Sequence, residues 1–399
     1  MIFIIVIEQH NYEFTGYFLW IVFFYKTKVI NLLLKKKFFC FKKKRTFADY
    51  CILTSMNLES IVRKNIFNLK PYSCARDEFK GEASVYLDAN ESPYNLRYNR
   101  YPDPLQELLK ERISQIKKIN TAKIMLGNGS DEVIDLIFRI FCEPAEDNVA
   151  AIEPTYGMYK VCADINNVEY RKVLLNDDFQ PDAEQLLAAV DKHTKVIFLC
   201  SPNNPSGNLL NRSEMRKTVE GFPGIVVIDE AYIDFSSEPS WLIDLDKYPN
   251  LIVLHTFSKA WGLASLRCGM AFASEEIIAL FNKVKYPYNL STLVQQTVLE
   301  QLCAGDTFKT GWVDQILKER EPLIMALKTI PVVEKVYPSD ANFLLVKVND
   351  AIGIYKKLID KGVIVRNRNS VSLCGNCLRI TVGTKEENSV LIDSLKMLK

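Results

Sequence analysis

Between Tyr101 and Phe272 the chain alternates short apolar runs with stretches whose apolar residues return every three or four positions. Runs of the first kind read as buried strands and stretches of the second as amphipathic helices. Helical spacing covers Leu105 to Lys118. A second helix is predicted behind Ser130, read as its N-cap, with Asp131 and Glu132 in the first turn where the helix dipole favours acids. Strands follow at Val149–Ile152, Glu169–Leu174, Val196–Cys200, Ile225–Ile228, Leu251–Leu254 and Gly269–Phe272, with helices near Tyr156–Asp164 and at Asp182–Val190 between them. Strands that are apolar throughout and alternate with helices predict an α/β domain, its mostly parallel sheet covered on both faces. After Ser274 the texture changes. Helices are expected at Glu275–Lys285, at Leu293–Leu302 and after Trp312. Short strands at Val332–Tyr337, Asn342–Val348, Val363–Val365 and Leu378–Val382, with a helix at Ile352–Lys361, then suggest a small α+β domain.

The first 55 residues do not share this pattern. They are crowded with Phe, Ile, Tyr, Asn and Lys, and hold one glycine and no proline. Lys26 and Lys28 interrupt the apolar stretch from Phe14 to Leu34, which falls short of the roughly 20 apolar residues a membrane span needs. Charge and apolar residues also stand in the wrong order for a signal peptide. An ordinary enzyme-like sequence opens at Met56, so the expectation is a mis-set start upstream of it. The 399 residues carry a formal net charge of +2 and no basic recognition helix, which gives no support to a nucleic-acid partner. Three scattered histidines (His10, His193, His255) argue against a histidine-ligated metal or a histidine-based triad. Ten cysteines without a disulfide-like frame, several inside apolar runs, point to a reduced, cytoplasmic protein. Cys374 and Cys377 form a lone CxxC with no second pair, which reads as a loop feature.

The candidate chemistry lies just past the predicted strands, where open α/β sheets bind ligands. Behind Leu251–Leu254 comes Thr256-Phe257-Ser258-Lys259, with Arg267 eight residues beyond the lysine. Hydroxyls, glycines and an arginine around one lysine suit a dianionic phosphate beside an amine that bonds to a carbonyl carbon. Asp229 follows Ile225–Ile228, and a carboxylate there requires a cationic partner, such as a protonated pyridine nitrogen. Ser201-Pro202-Asn203-Asn204-Pro205 presents amides after another strand, and Gly127-Asn128-Gly129-Ser130-Asp131 precedes a helix whose N–H groups can cradle phosphate. Taken together these residues describe one site for pyridoxal phosphate. Its phosphate cup is Ser130, Ser258 and Arg267, its amine Lys259, its ring-nitrogen counter-ion Asp229, and its ring-oxygen donors Asn204 and Tyr232.

The segments 127–132, 154–159, 201–207, 228–232, 256–269 and 378–384, in this order, resemble the fold-type I aminotransferases and within them are similar to the histidinol-phosphate aminotransferases. The likeness runs from about Met56 to the C-terminus. It implies an N-terminal segment (56–100) contributing to the small domain, a large cofactor-binding domain (101–305) and a small C-terminal domain (306–399). It also implies that Lys259 bonds to the cofactor aldehyde and then shuttles a proton, with Asp229 and Tyr232 as its catalytic companions. Gly129, Ser130, Asp131, Asn204, Thr256, Ser258 and Arg267 would hold the cofactor, with Tyr156 stacked on its ring. Arg379 and Arg366 are the implied anion-binding residues for substrate. Tyr72 and Tyr101 would be phosphate contacts, Tyr101 reaching the neighbouring subunit of a homodimer. The implied reaction is transamination between L-histidinol phosphate with 2-oxoglutarate and imidazole acetol phosphate with glutamate, in histidine biosynthesis. An aromatic-amino-acid aminotransferase, a decarboxylase on the same scaffold and a non-catalytic cofactor-binding regulator are the alternatives.

Overall fold

The computed structural model describes residues 57–75, 79, 81 and 83–398, together with Ile4–Ile5 and Trp20–Ile21, which pair antiparallel. The chain divides into a unit of residues 1–50 and a unit of residues 51–399. Apart from those four residues, the expectations for 1–55 lie outside the described residues.

Seven strands form the main sheet: β1 (Ile124–Asn128), β2 (Asn148–Glu153), β3 (Glu169–Leu174), β4 (Thr194–Cys200), β5 (Ile225–Asp229), β6 (Leu251–Thr256) and β7 (Cys268–Phe272). Their spatial order is β1-β7-β6-β5-β4-β2-β3. All neighbouring pairs are parallel except the two made by β7, which runs against both β1 and β6. The two faces explain why β5 and β6 are apolar at every position but their ends. Val226, Ile228, Leu251 and Val253 join one core, while Ile225, Val227, Ile252 and Leu254 join the other. Helices α1 (Gly129–Phe141), α2 (Met158–Ile165) and α3 (Glu275–Val284) cover the second face, contributing Ile137, Phe138, Tyr159 and Phe281 to its core.

The small sheet has the order β8 (Val333–Val336), β9 (Phe343–Val348), β11 (Cys377–Thr381), β10 (Arg366–Asn367) and is antiparallel throughout. Helices α4 (Thr307–Lys328), α5 (Ala351–Asp360) and α6 (Lys385–Lys396) share a core with one face of it through Leu344, Val346, Leu378 and Ile380. The opposite face, carrying Phe343, Leu345 and Cys377, joins the cores of the larger sheet and of the site.

Three expectations are corrected. Ser130 is not an N-cap: α1 already begins at Gly129, whose φ of +75° turns the chain directly out of β1. Val363–Val365 is not a strand, because the Gly362 turn and the Val363 N–H bond to the Leu358 carbonyl tie it to the end of α5, and pairing starts only at Arg366. The stretch from Leu58 to Phe67 forms two single helical turns on the large-sheet side, not on the small one. Ile61, Val62 and Ile66 enter the α1–α3 core, and the Arg63 Nε–Glu143 ion pair of 3.1 Å secures them.

Candidate active site

Three adjacent parallel strands end side by side, in a register that sets Cys200 opposite Asp229 and Asp229 opposite Leu254. Their C-terminal loops, with the start of α1, line one cavity. Ser130, Asp131, Tyr156, Asn204, Asp229, Tyr232, Thr256, Ser258, Lys259 and Arg267 all face it. These ten residues come from five separate segments, and every one of them was assigned to the cofactor from the sequence.

At the floor, Asp229 is 3% exposed. Its Oδ2 accepts from the Tyr159 hydroxyl at 2.7 Å and its Oδ1 from the Ala231 N–H at 3.1 Å. Burial pushes the carboxyl up to about 6, against the pull of those two bonds. A cationic ring nitrogen set against it would hold it ionised. Lys259 opens onto the cavity, and its Nζ lies 5.6 Å from the centre of the Tyr232 ring. Desolvation, then the charge of Arg379, draws its pKa below the usual lysine range, with Asp229 and Asp131 opposing. An amine so placed is more readily neutral, which bonding to a carbonyl carbon requires.

The cup is shaped by backbone contact. A Cβ on Gly129 would come within 2.6 Å of Arg267 Nη2, and one on Gly269 within 2.3 Å of the Ser130 nitrogen. Arg267 Nη2 reaches Asp131 Oδ2 at 3.2 Å, and the Tyr156 hydroxyl donates to Asp131 Oδ1 at 3.0 Å. The Asn128 side chain makes no capping bond; Glu132 accepts from the Asn128 N–H and the Arg267 carbonyl from that of Gly129, while the helix dipole favours an anion at this end. Ser258 sits beside that helix start, its N–H donating to Thr256 Oγ1 at 3.1 Å.

On the far side, Arg379 Nη1 donates to Asn204 Oδ1 at 2.6 Å, and Asn204 Nδ2 donates to the Tyr232 hydroxyl at 3.4 Å. The Arg379 guanidinium also lies over the Phe343 ring at 5.3 Å. One chain of contacts thus joins the small sheet to the cofactor cavity. Arg366 stands directly opposite Arg379 across the β10–β11 pair. Tyr72 and Tyr101 are not brought into the cavity. Tyr72 is 75% exposed in a separate hollow beside Lys283, and Tyr101 is 51% exposed, stacked on Tyr288 at 4.5 Å. Glu230, next to Asp229, turns away as well: it accepts from the Trp241 N–H and meets buried His255 at 2.9 Å.

Two residues escaped the sequence reading: Tyr159, which donates to Asp229, and Arg368, which extends the pairing beside Arg366 and Arg379 on the small sheet. Tyr159 stands three places after Tyr156, one helical turn on, and this spacing was its only signal. Arg368 stands two places after Arg366, on the same side of an extended strand.

The donor set fits pyridoxal phosphate: an amine of lowered basicity, a buried acid wanting a cation, and a cup of hydroxyls, arginine and helix N-terminus. The sequence profile described as aminotransferase class I and II matches residues 84–395, and the chain belongs to this family. Within it, the chain is 61% identical over 340 residues to a histidinol-phosphate aminotransferase of Bacteroides fragilis (strain YCH46), an alignment covering 85% of this chain and 98% of that protein. Among solved structures it resembles the histidinol-phosphate aminotransferase from Clostridium acetobutylicum, with a TM-score of 0.70 at 23% identity over 75% of this chain and 91% of that one. It also resembles the enzyme of the same name from Sinorhizobium meliloti in complex with pyridoxal-5'-phosphate, with a TM-score of 0.68 at 23% identity over 74% and 82%. The family and fold expected from the motifs are borne out.

Proposed function

We propose that this enzyme transfers an amino group between L-histidinol phosphate and 2-oxoglutarate, giving imidazole acetol phosphate and glutamate, in either direction. The observation that carries this reading is the chain of contacts from Arg379 through Asn204 to Tyr232, which ties an anion-binding arginine to a cavity holding Lys259 and Asp229. The high identity to enzymes named for this reaction supports the same substrate pair.

Bound pyridoxal phosphate supplies the electron sink for the pair left when the substrate Cα loses its proton. Asp229, lining the floor of the cavity, would keep the ring nitrogen of the bound cofactor protonated. With the cofactor bound, Lys259 Nζ would take the proton from the substrate Cα and return it to the carbon that was the cofactor's aldehyde, a role its lowered basicity suits. Tyr232 and Asn204 would donate to the cofactor's ring oxygen, and Arg267 with Ser130, Ser258 and the start of α1 would hold its phosphate. Arg379 holds the anionic end of each substrate in turn, since a guanidinium pairs bidentately with carboxylate or phosphate. Among the described residues, no helix is long and apolar enough to cross a membrane.

We further propose a homodimer in the cytoplasm, with the chain divided near residue 306. The exposed Leu96, Tyr98 and Tyr101 support an interface on that surface. Comparing kcat/KM for histidinol phosphate, phenylalanine and threonine phosphate tests the reaction. Histidinol phosphate is expected to lead phenylalanine by about 10⁴-fold or more, the scale on which a buried polar recognition set rejects a compound lacking its partner. Equal or faster turnover of phenylalanine, or carbon dioxide release from threonine phosphate, would overturn it.

A further inference from the structure

The face of the small sheet turned toward the site carries three guanidiniums. Arg366 and Arg379 are directly opposite one another on β10 and β11. The Arg368 N–H donates to the Cys377 carbonyl at 2.9 Å, which continues the same pairing by two residues. Side chains two apart on an extended strand share a face, as do directly opposed residues, so all three arginines stand on one side. Like charges facing one another across strands are unfavourable. Several arginines elsewhere meet carboxylates, Arg63 with Glu143, Arg171 with Asp191 and Arg212 with Asp244, and others such as Arg112 and Arg320 donate to backbone carbonyls. Among the described residues, none of the three arginines on this face has such an ion pair. The Nε of Arg368 is in addition buried and meets no hydrogen-bond acceptor. A buried guanidinium N–H without an acceptor is costly, and a ligand oxygen would relieve the cost.

We propose that Arg368 is a third anion ligand of the substrate site, and that with Arg366 and Arg379 it makes the site select a dianionic phosphomonoester over a singly charged carboxylate end. This rests on the transaminase reading for the position of the substrate, while the arginine cluster itself is independent of it. Burial and the other two guanidiniums bring the pKa of Arg368 down to about 10, a further sign that its positive charge is uncompensated. At neutral pH it is still charged and able to bind.

The test compares Arg368→Gln and Arg368→Lys with the wild-type holoenzyme, using steady-state kinetics and inorganic phosphate as a competitor against glutamate. In Arg368→Gln, KM for histidinol phosphate and the inhibition constant for phosphate are expected to rise on the order of tenfold or more, with kcat and the KM for glutamate changed less than about threefold. Arg368→Lys keeps the charge without the fork and should fall between the two. Phosphate inhibition of the wild type should strengthen as pH rises through the second ionisation of phosphate, and this gain should shrink in Arg368→Gln. Equal losses for glutamate and histidinol phosphate, or unchanged phosphate inhibition in both variants, would overturn the proposal. If the wild type does not turn over histidinol phosphate, the transaminase reading fails, and the competition against glutamate still decides the role of Arg368.

Discussion

The wall of the cavity built on the large sheet and the wall built on the small sheet treat charge in opposite ways. On the first, both carboxylates have protein partners: Asp229 accepts from Tyr159 and Ala231, while Asp131 takes both Arg267 and the Tyr156 hydroxyl. On the second, Arg366, Arg368 and Arg379 face one way without a carboxylate among the described residues. The first wall is shaped to keep a resident group in place through many turnovers. The second is left electrostatically incomplete, so that each substrate completes it and then leaves.

The largest effect should come from removing the amine. Lys259→Ala is expected to lose at least about 10²–10⁴-fold in turnover, the usual worth of a positioned proton carrier, together with any borohydride-fixable attachment of the cofactor. Retained turnover would break the assignment of the first wall. Arg379→Ala should reduce kcat/KM for both substrates by roughly 2–5 kcal/mol while cofactor content is unchanged. Loss of cofactor instead would mean that the two walls are not separate in function.

A stability measurement sharpens the contrast further. The carboxyl of Asp229 is raised from 3.8 to about 6 in the folded chain, so the folded state holds a proton through that window and loses stability as pH climbs across it. Cofactor-free Asp229→Asn lacks this ionisation. It should be more stable than the cofactor-free wild type above pH 6, by up to about 3 kcal/mol, with the gap closing toward pH 4. Thermal melts at a series of pH values check this, and a gap independent of pH would refute it. The smallest expected effect is that of Tyr159→Phe. Without the phenol donor, the pH at which that gap levels off should move upward by about one unit, while its onset near pH 4 stays in place. Cofactor affinity should weaken a few-fold in an equilibrium titration.

The first wall was readable in the sequence because its chemistry travels in short segments behind apolar strands. Lys259 with Ser258 and Arg267, and Asp229 with Tyr232, each lie within a dozen residues of one another. What escaped depends on contacts between distant segments. Tyr159 reads as a core aromatic until α2 folds its hydroxyl against β5, 70 residues away. Arg368 reads as a loop charge until β10 pairs with β11. Ser130 was misread because a capping pattern is local, whereas the start of α1 follows from how Gly129 and Gly269 pack their backbones together. Tyr72 and Tyr101 carry roles implied by resemblance alone, and within one chain they point elsewhere.

The alignment of β4, β5 and β6 does more than assemble a core. A strand presents successive residues to opposite layers, so sliding β5 one step along its neighbours would turn Asp229 to the other layer and bring Ile228 or Glu230 up in its place. The ladder therefore works as a ruler for the chemistry. Faulty copies of this chain should be inert outright, and a weakly active preparation should be a mixture of good molecules and dead ones.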